Sequence, residues 1–239
     1  MQGARGIEEA LTFKDHTWWI ACLCAGALTI ALSIGFGLIP NISGCGDDGG
    51  AGSIIAFELV RTPADVAALF GQPPCTGPFR EAMRLATWID AIAFIPVYSA
   101  FLIAGLLALR PNGRIVALAG IAAVLLAALF DEIEGVQLFR IMTDLPGSQP
   151  IIDLLILLVR GKFALLGIGA LAIGWLLAKP GGAGRITGLL VTLGGALTMV
   201  GLYGDEYARF LTLGSALSWL TLLGVAAVRS LRGRRAAHS

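Results

Sequence analysis

The stretch "LFDEIEGVQLFR", residues 129–140, places Asp131, Glu132 and Glu134 at the end of an apolar run that begins at Ile115. On a helix Asp131 and Glu134 share a face, because residues three apart are neighbours, and Gln137 extends that face. A second stretch, "WIDAIAFIPVY", sets Asp90, Phe94 and Tyr98 on one helix face at i, i+4 and i+8. Pro96 inside it should kink the helix and free a backbone carbonyl nearby. A third, "LLVRGKFALL", carries Arg160 and Lys162. Two residues apart, these diverge by about 200°. The deeper Lys162 is expected to point inward, and Arg160 to reach lipid headgroups or Asp153.

Such residues have a definite chemistry. A carboxylate taken out of water can act as a general acid or base, and a lysine beside it can stabilise an anion. A divalent cation on Asp90, Asp131 and Glu134 is chemically open, but the lysine at their level argues against it. No G-x-S-x-G or Cys–His arrangement supplies a nucleophile. His16 and His238, the only histidines, lie outside the apolar runs. That argues against a bis-histidine haem or a His-ligated zinc or di-iron site among the helices. No metal or cofactor is expected.

The elements that must position these residues are membrane helices. The chain is 56% hydrophobic and 14% charged, with mean hydropathy +0.82. A soluble domain carries about 25% charged residues. The reading is an all-α, polytopic transmembrane bundle in one domain, 1–239, with about six spans: 18–39, 86–109, 115–141, 151–178, 186–203 and 207–228. The first run is too long for the ~7–15-residue core of a signal peptide, so it is taken as a helix. A net charge of +1 gives no reason to expect a nucleic-acid partner.

Basic residues orient the bundle. Arg110 and Arg114, Lys179 and Arg185, the arginines from Arg229 to Arg235, and Arg5 and Lys14 all fall on one side of a six-span chain. That side should be cytoplasmic, with both termini, and the loops 40–85, 142–150 and 204–206 outside. Helical rise then sets depth. Asp131 stands roughly 25 Å above Arg114, Asp90 roughly 30 Å above Arg110, and Lys162 roughly 26 Å above Lys179. Three helices thus bring opposite charges to one layer in the outer part of the membrane. Intramembrane ionisable groups usually face a bundle interior or a water-filled cavity. Asp205, Glu206 and Arg209 read as a solvated turn just above that layer.

The outer loop 40–85 is too long for a simple connector. Facing an oxidising compartment, Cys45 and Cys75 within it would form a disulfide. In "FELVRTPADVAALFG", Thr62 is a good N-cap, Pro63 suits the first helical position and Asp65 favours the positive end. Val66, Leu69 and Phe70 share a face, so a short amphipathic helix should lie on the bundle. Ala123 and Ala127, Ala170 and Gly174, and Gly194 and Gly195 are small enough for close helix packing.

The order "FELVRTPADVAAL", "WIDAIAFIPVY", "DEIEGVQLF" and "GKFALL" resembles a family of small bacterial inner-membrane proteins without established activity. The resemblance spans roughly residues 55–178 and carries Asp90, Phe94, Tyr98, Asp131, Glu134 and Lys162 onto the family pattern. It implies a bacterial inner-membrane location and no reaction. The Ala- and Gly-rich, Lys-poor composition fits a GC-rich bacterial genome.

Three readings follow. The first is an outward-facing pocket that binds, and in an enzyme would process, a lipid or small amphipathic molecule, walled by Phe94, Phe130 and Trp88. The second is a non-enzymatic subunit or scaffold that packs against a membrane protein or a second copy of itself. The third is a proton-coupled transporter, against which stands the near absence of polar groups in the inner half of the spans. Beside all three, the charged layer could be a salt-bridge clamp, since a buried ion pair can be structural alone.

Overall fold

Backbone polar groups in hydrocarbon must pair within their own segment, and an apolar segment meets that demand as a helix. The computed structural model describes residues 2–46, 48, 50, 52–204 and 207–236, and the side chains of these except 2–15 and 233–236. Among the described residues the chain is all-helical, with no strand. Its long helices are α1 (Gln2–Phe36), α5 (Ile95–Leu109), α6 (Arg114–Thr143), α7 (Gln149–Ala178), α8 (Ala183–Val200) and α9 (Arg209–Ala236). Three short ones, α2 (Ser53–Glu58), α3 (Pro63–Phe70) and α4 (Thr76–Ile89), precede α5. Five stretches are long and apolar enough to cross a membrane: His16–Phe36, Thr76–Asn112, Arg114–Thr143, Ala183–Val200 and Arg209–Arg232. They mark the chain as a membrane protein.

The helices run past the expected spans. The second begins at Thr76 rather than 86, the last ends at Ala236 rather than 228, and the first stops at Phe36 rather than 39. Hydropathy marks where a helix is greasy, while backbone hydrogen bonding continues into polar turns. Asp205, Glu206 and His238 lie outside the described residues, as do the side chains of Arg5, Lys14, Arg234 and Arg235.

Packing follows chain order. α5 lies against α6, α6 against α7, α7 against α8 and α8 against α9, while α1 contacts both α9 and α5 and closes a ring. Small residues allow the closest approaches. A methyl group on Gly195 would meet Ala170 of α7, and one on Gly194 would overlap Gly214 and Ser218 of α9. These adjacent glycines therefore seat α8 between both neighbours. Gly174 lies equally close to Gly188 and Thr192. Where the turn after α5 meets the end of α7, Asn112 Nδ2 donates to Leu176 O at 3.0 Å and Lys179 Nζ to Asn112 O at 2.6 Å. Large apolar side chains such as Ile115, Leu157 and Leu189 point out of the ring, the face a bilayer would cover.

The segment 40–85 folds over one end of the ring. Cys45 and Cys75 form a disulfide. α3 starts with a reciprocal cap: Asp65 N donates to Thr62 Oγ1 at 3.2 Å, and Thr62 N to Asp65 Oδ2 at 2.9 Å. Val66, Leu69 and Phe70 are buried beneath it. Phe70 packs between Phe57 of α2 and Phe79 of α4, with ring centroids 5.0 and 4.9 Å away. These rings are continuous with the core of the bundle and hold α2 in place over it.

Candidate functional site

The ring brings together side chains from separate helices. Lys162, on the buried face of α7, donates to Asp131 Oδ1 and Glu134 Oε1 of α6, each at 2.9 Å, and also lies 2.8 Å from Glu134 Oε2. Its third hydrogen bond, also 2.9 Å, goes to Glu58 Oε2 at the end of α2. Tyr98 OH of α5 donates to Asp131 Oδ2 at 2.8 Å. Lys162 is 4% exposed, Glu134 1%, Asp131 5% and Glu58 7%. Burial pushes the Glu58 carboxyl above its ordinary value of 4.5, against the pull of Lys162 and with the push of Asp131. One ammonium faces three carboxylates, so the fully ionised cluster carries excess negative charge.

Asp90 sits beside this cluster at the start of a π-helical turn, Asp90–Phe94, that joins α4 to α5. Pro96 cannot donate a backbone hydrogen bond, and the ladder widens just before it: Ile95 N bonds Asp90 O, five residues back. The chain passes Pro96 through a wide turn within one long helical stretch, Thr76–Asn112, and such turns often occur at functional sites. Among the described residues the Asp90 carboxylate has no hydrogen-bond or ion-pair partner, although it feels the charges of Asp131, Lys162 and Glu58. Phe94 and Tyr98 follow it with ring centroids 5.5 Å apart. Trp219 of α9 stacks on Tyr98 at 5.7 Å and lies 6.1 Å from Phe94.

A cavity of about 590 Å³ opens at the end of the ring that carries the 40–85 segment. Asp90, Phe94, Tyr98, Asp131, Lys162 and Trp219 contribute to its wall, and α2 adds Ser53 and Glu58. The remaining lining is mostly apolar, from α1, α2, α4, α6, α7 and α9, with Asp48 and its neighbours from the connection after α1. The volume falls within the ~300–1,000 Å³ usual for small-molecule sites.

Of the residues expected at one level, Asp90, Phe94, Tyr98, Asp131 and Lys162 line the cavity, and Glu134 lies behind Lys162. Arg160 is exposed on another side of α7 and makes no bond to the cluster, while Asp153 accepts instead from Gln149. Gln137 is buried but pairs with Arg140. Two expected walls lie elsewhere. Trp88 is 54% exposed and packs on Phe139, and Phe130 covers Gly161 between α6 and α7. Helical periodicity shows which residues share a face but not which neighbour that face meets. Glu58 and Trp219 were missed. The signal for Glu58 was a lone acid within "SIIAFELV"; Trp219 had none, since its role depends on ring closure between α9 and α1.

The fold and site define a class: a helical membrane bundle whose open cavity ends on a buried charged cluster. No family model, curated protein or solved structure matches this chain.

Proposed function

We propose that this protein is a six-span inner-membrane protein with both termini cytoplasmic, whose outward-facing cavity binds a lipid or small amphipathic molecule. α7 completes the six: its 30 residues reach about 45 Å, enough to span, and it packs between two apolar helices. The Cys45–Cys75 disulfide supports placing the 40–85 segment in an oxidising compartment. The basic inner turns agree. The resemblance to small bacterial inner-membrane proteins points to the same location.

The observation that carries the binding reading is the cavity itself, an apolar chamber ending on Asp90 and the Lys162 cluster. A chamber of that make-up suits a ligand with an apolar body and a polar head. The cluster also works as a clamp: Lys162 ties α2, α6 and α7 together. The two roles divide between residues, with Lys162 holding the floor and Asp90 facing the ligand.

The test is native mass spectrometry of protein extracted in mild detergent, beside Ala216→Trp, which fills the cavity from α9. A discrete co-purifying mass in the wild type, absent from a variant of unchanged heat stability, is expected. The same adducts on both proteins would overturn the reading.

A further inference from the structure

We infer that the head group taken by this cavity is a cation, an alkyl ammonium or quaternary ammonium, seated on Asp90 against Phe94, Tyr98 and Trp219. This rests on the binding reading above and adds the ligand's charge and docking point.

The argument begins with the cation already present. Among the described residues Lys162 is the only Lys or Arg in the cavity wall. An ammonium has three N–H donors, and Glu58, Asp131 and Glu134 take all three at 2.9 Å. An anionic head would find no donor left on Lys162. It would also face Asp90, Asp131, Glu58 and Asp48, all in the lining.

A cationic head meets the opposite conditions. Asp90 offers a carboxylate without a partner, in the field of a cluster with more carboxylates than ammonium groups. Phe94, Tyr98 and Trp219 line the same cavity as Asp90, packed on one another at 5.5–6.1 Å. Aromatic faces attract ammonium groups, most strongly where water is excluded, and quaternary ammonium recognition uses such rings. Ser53 supplies an independent sign. It is 6% exposed, its hydroxyl has no hydrogen-bond partner among the described residues, and it lines the same cavity. A buried hydroxyl without a partner costs stability, and an alkylammonium N–H can donate to its oxygen, which a quaternary ammonium cannot do. The rest of the wall is apolar and accommodates a hydrocarbon chain.

The test uses the full chain in dodecyl maltoside, with decyltrimethylammonium, decylamine, decanol and decyl sulfate at matched concentration, and native mass spectrometry to count bound molecules. Wild type, Asp90→Asn and Trp219→Leu are compared, so that partition into the micelle cancels between proteins. The expected result is at least tenfold tighter binding of the two cations than of decyl sulfate. Asp90→Asn should lose that preference while decanol binding stays unchanged, and Trp219→Leu should weaken the trimethylammonium compound most. Decyl sulfate binding as tightly as the cations, or a preference that survives Asp90→Asn, overturns the cationic inference and leaves the cavity reading standing. Absence of binding by all four overturns both. A double-chain trimethylammonium lipid distinguishes the source: its binding points to a bilayer lipid, and binding of single-chain cations alone to a soluble amphiphile.

Discussion

Lys162 shows how one residue can hold several elements. Its three donors match three acceptors, yet only two of those acceptors lie on a neighbouring long helix; Glu58 arrives from the segment folded over the end. Removing one partner of a buried ionic group leaves the others uncompensated, at a cost of about 3–5 kcal/mol. Lys162→Met should therefore lower heat stability by an amount of that order, and Glu58→Gln by less, because the amide can still accept a bond from Lys162. pH adds a second check. Burial holds the Glu58 carboxyl above 4.5, so the folded form binds more protons than the unfolded one above that value. The stability Glu58 contributes is complete below 4.5 and declines as pH rises through its folded pKa. In one heat-denaturation series the wild-type advantage over Glu58→Gln should shrink from pH 4.5 toward neutrality. An advantage that grows with pH would show that attraction to Lys162 outweighs burial.

At the scale of elements, the segment 40–85 behaves as a lid core stapled at both ends. The disulfide closes a loop with a sequence separation of 30. A loop of that size loses about 3–4 kcal/mol of denatured-state entropy when closed. The aromatic trio Phe57, Phe70 and Phe79 and the Thr62–Asp65 cap supply the rest. Cys45→Ser with Cys75→Ser should loosen residues 52–71 locally and leave the ring intact, because the ring helices pack on one another along their length. Hydrogen exchange is the measure: faster exchange confined to that segment is expected, and equal acceleration in α6 and α7 would contradict it. Since α2 carries Glu58 and Ser53, the same pair of substitutions should also weaken ligand retention. The π-helical turn at Asp90–Phe94 works at this scale too, rotating Asp90 relative to the helix below it and setting it beside Phe94 and Tyr98 in the cavity wall.

At the scale of the whole molecule, a greasy exterior surrounds a mostly apolar cavity that ends on a buried charged cluster. Ile115, Leu157, Leu189 and Leu231 project outward, while the ionisable side chains of the cluster turn inward. That is the distribution expected where charge in hydrocarbon is costly. The proposed six-span arrangement makes a direct prediction. Alkaline phosphatase fused after residue 60 should be active, and a fluorescent protein fused after residue 236 should fold and glow, since each reporter works on its own side of the membrane. The reverse pattern would turn the cavity to the cytoplasm. A dark C-terminal fusion with active phosphatase would mean an odd number of spans.

Sequence alone determined what depends on composition and local geometry. Apolar runs specify helices because a helix pairs its own backbone. The Thr62–Asp65 spacing specifies a cap, and heights along three helices put Asp90, Asp131 and Lys162 at one level because rise per residue is constant. Lateral arrangement is another matter. Which face of α7 meets α6, that Glu58 descends to complete the ammonium's shell, and that Trp219 returns beside Tyr98 were decided only by the closed ring. Those contacts join residues as much as 121 positions apart, and no local periodicity encodes them. The same closure changed the chemistry: Lys162 has its three donors taken by Glu58, Asp131 and Glu134, which leaves Asp90 as the group the proposed ligand would meet.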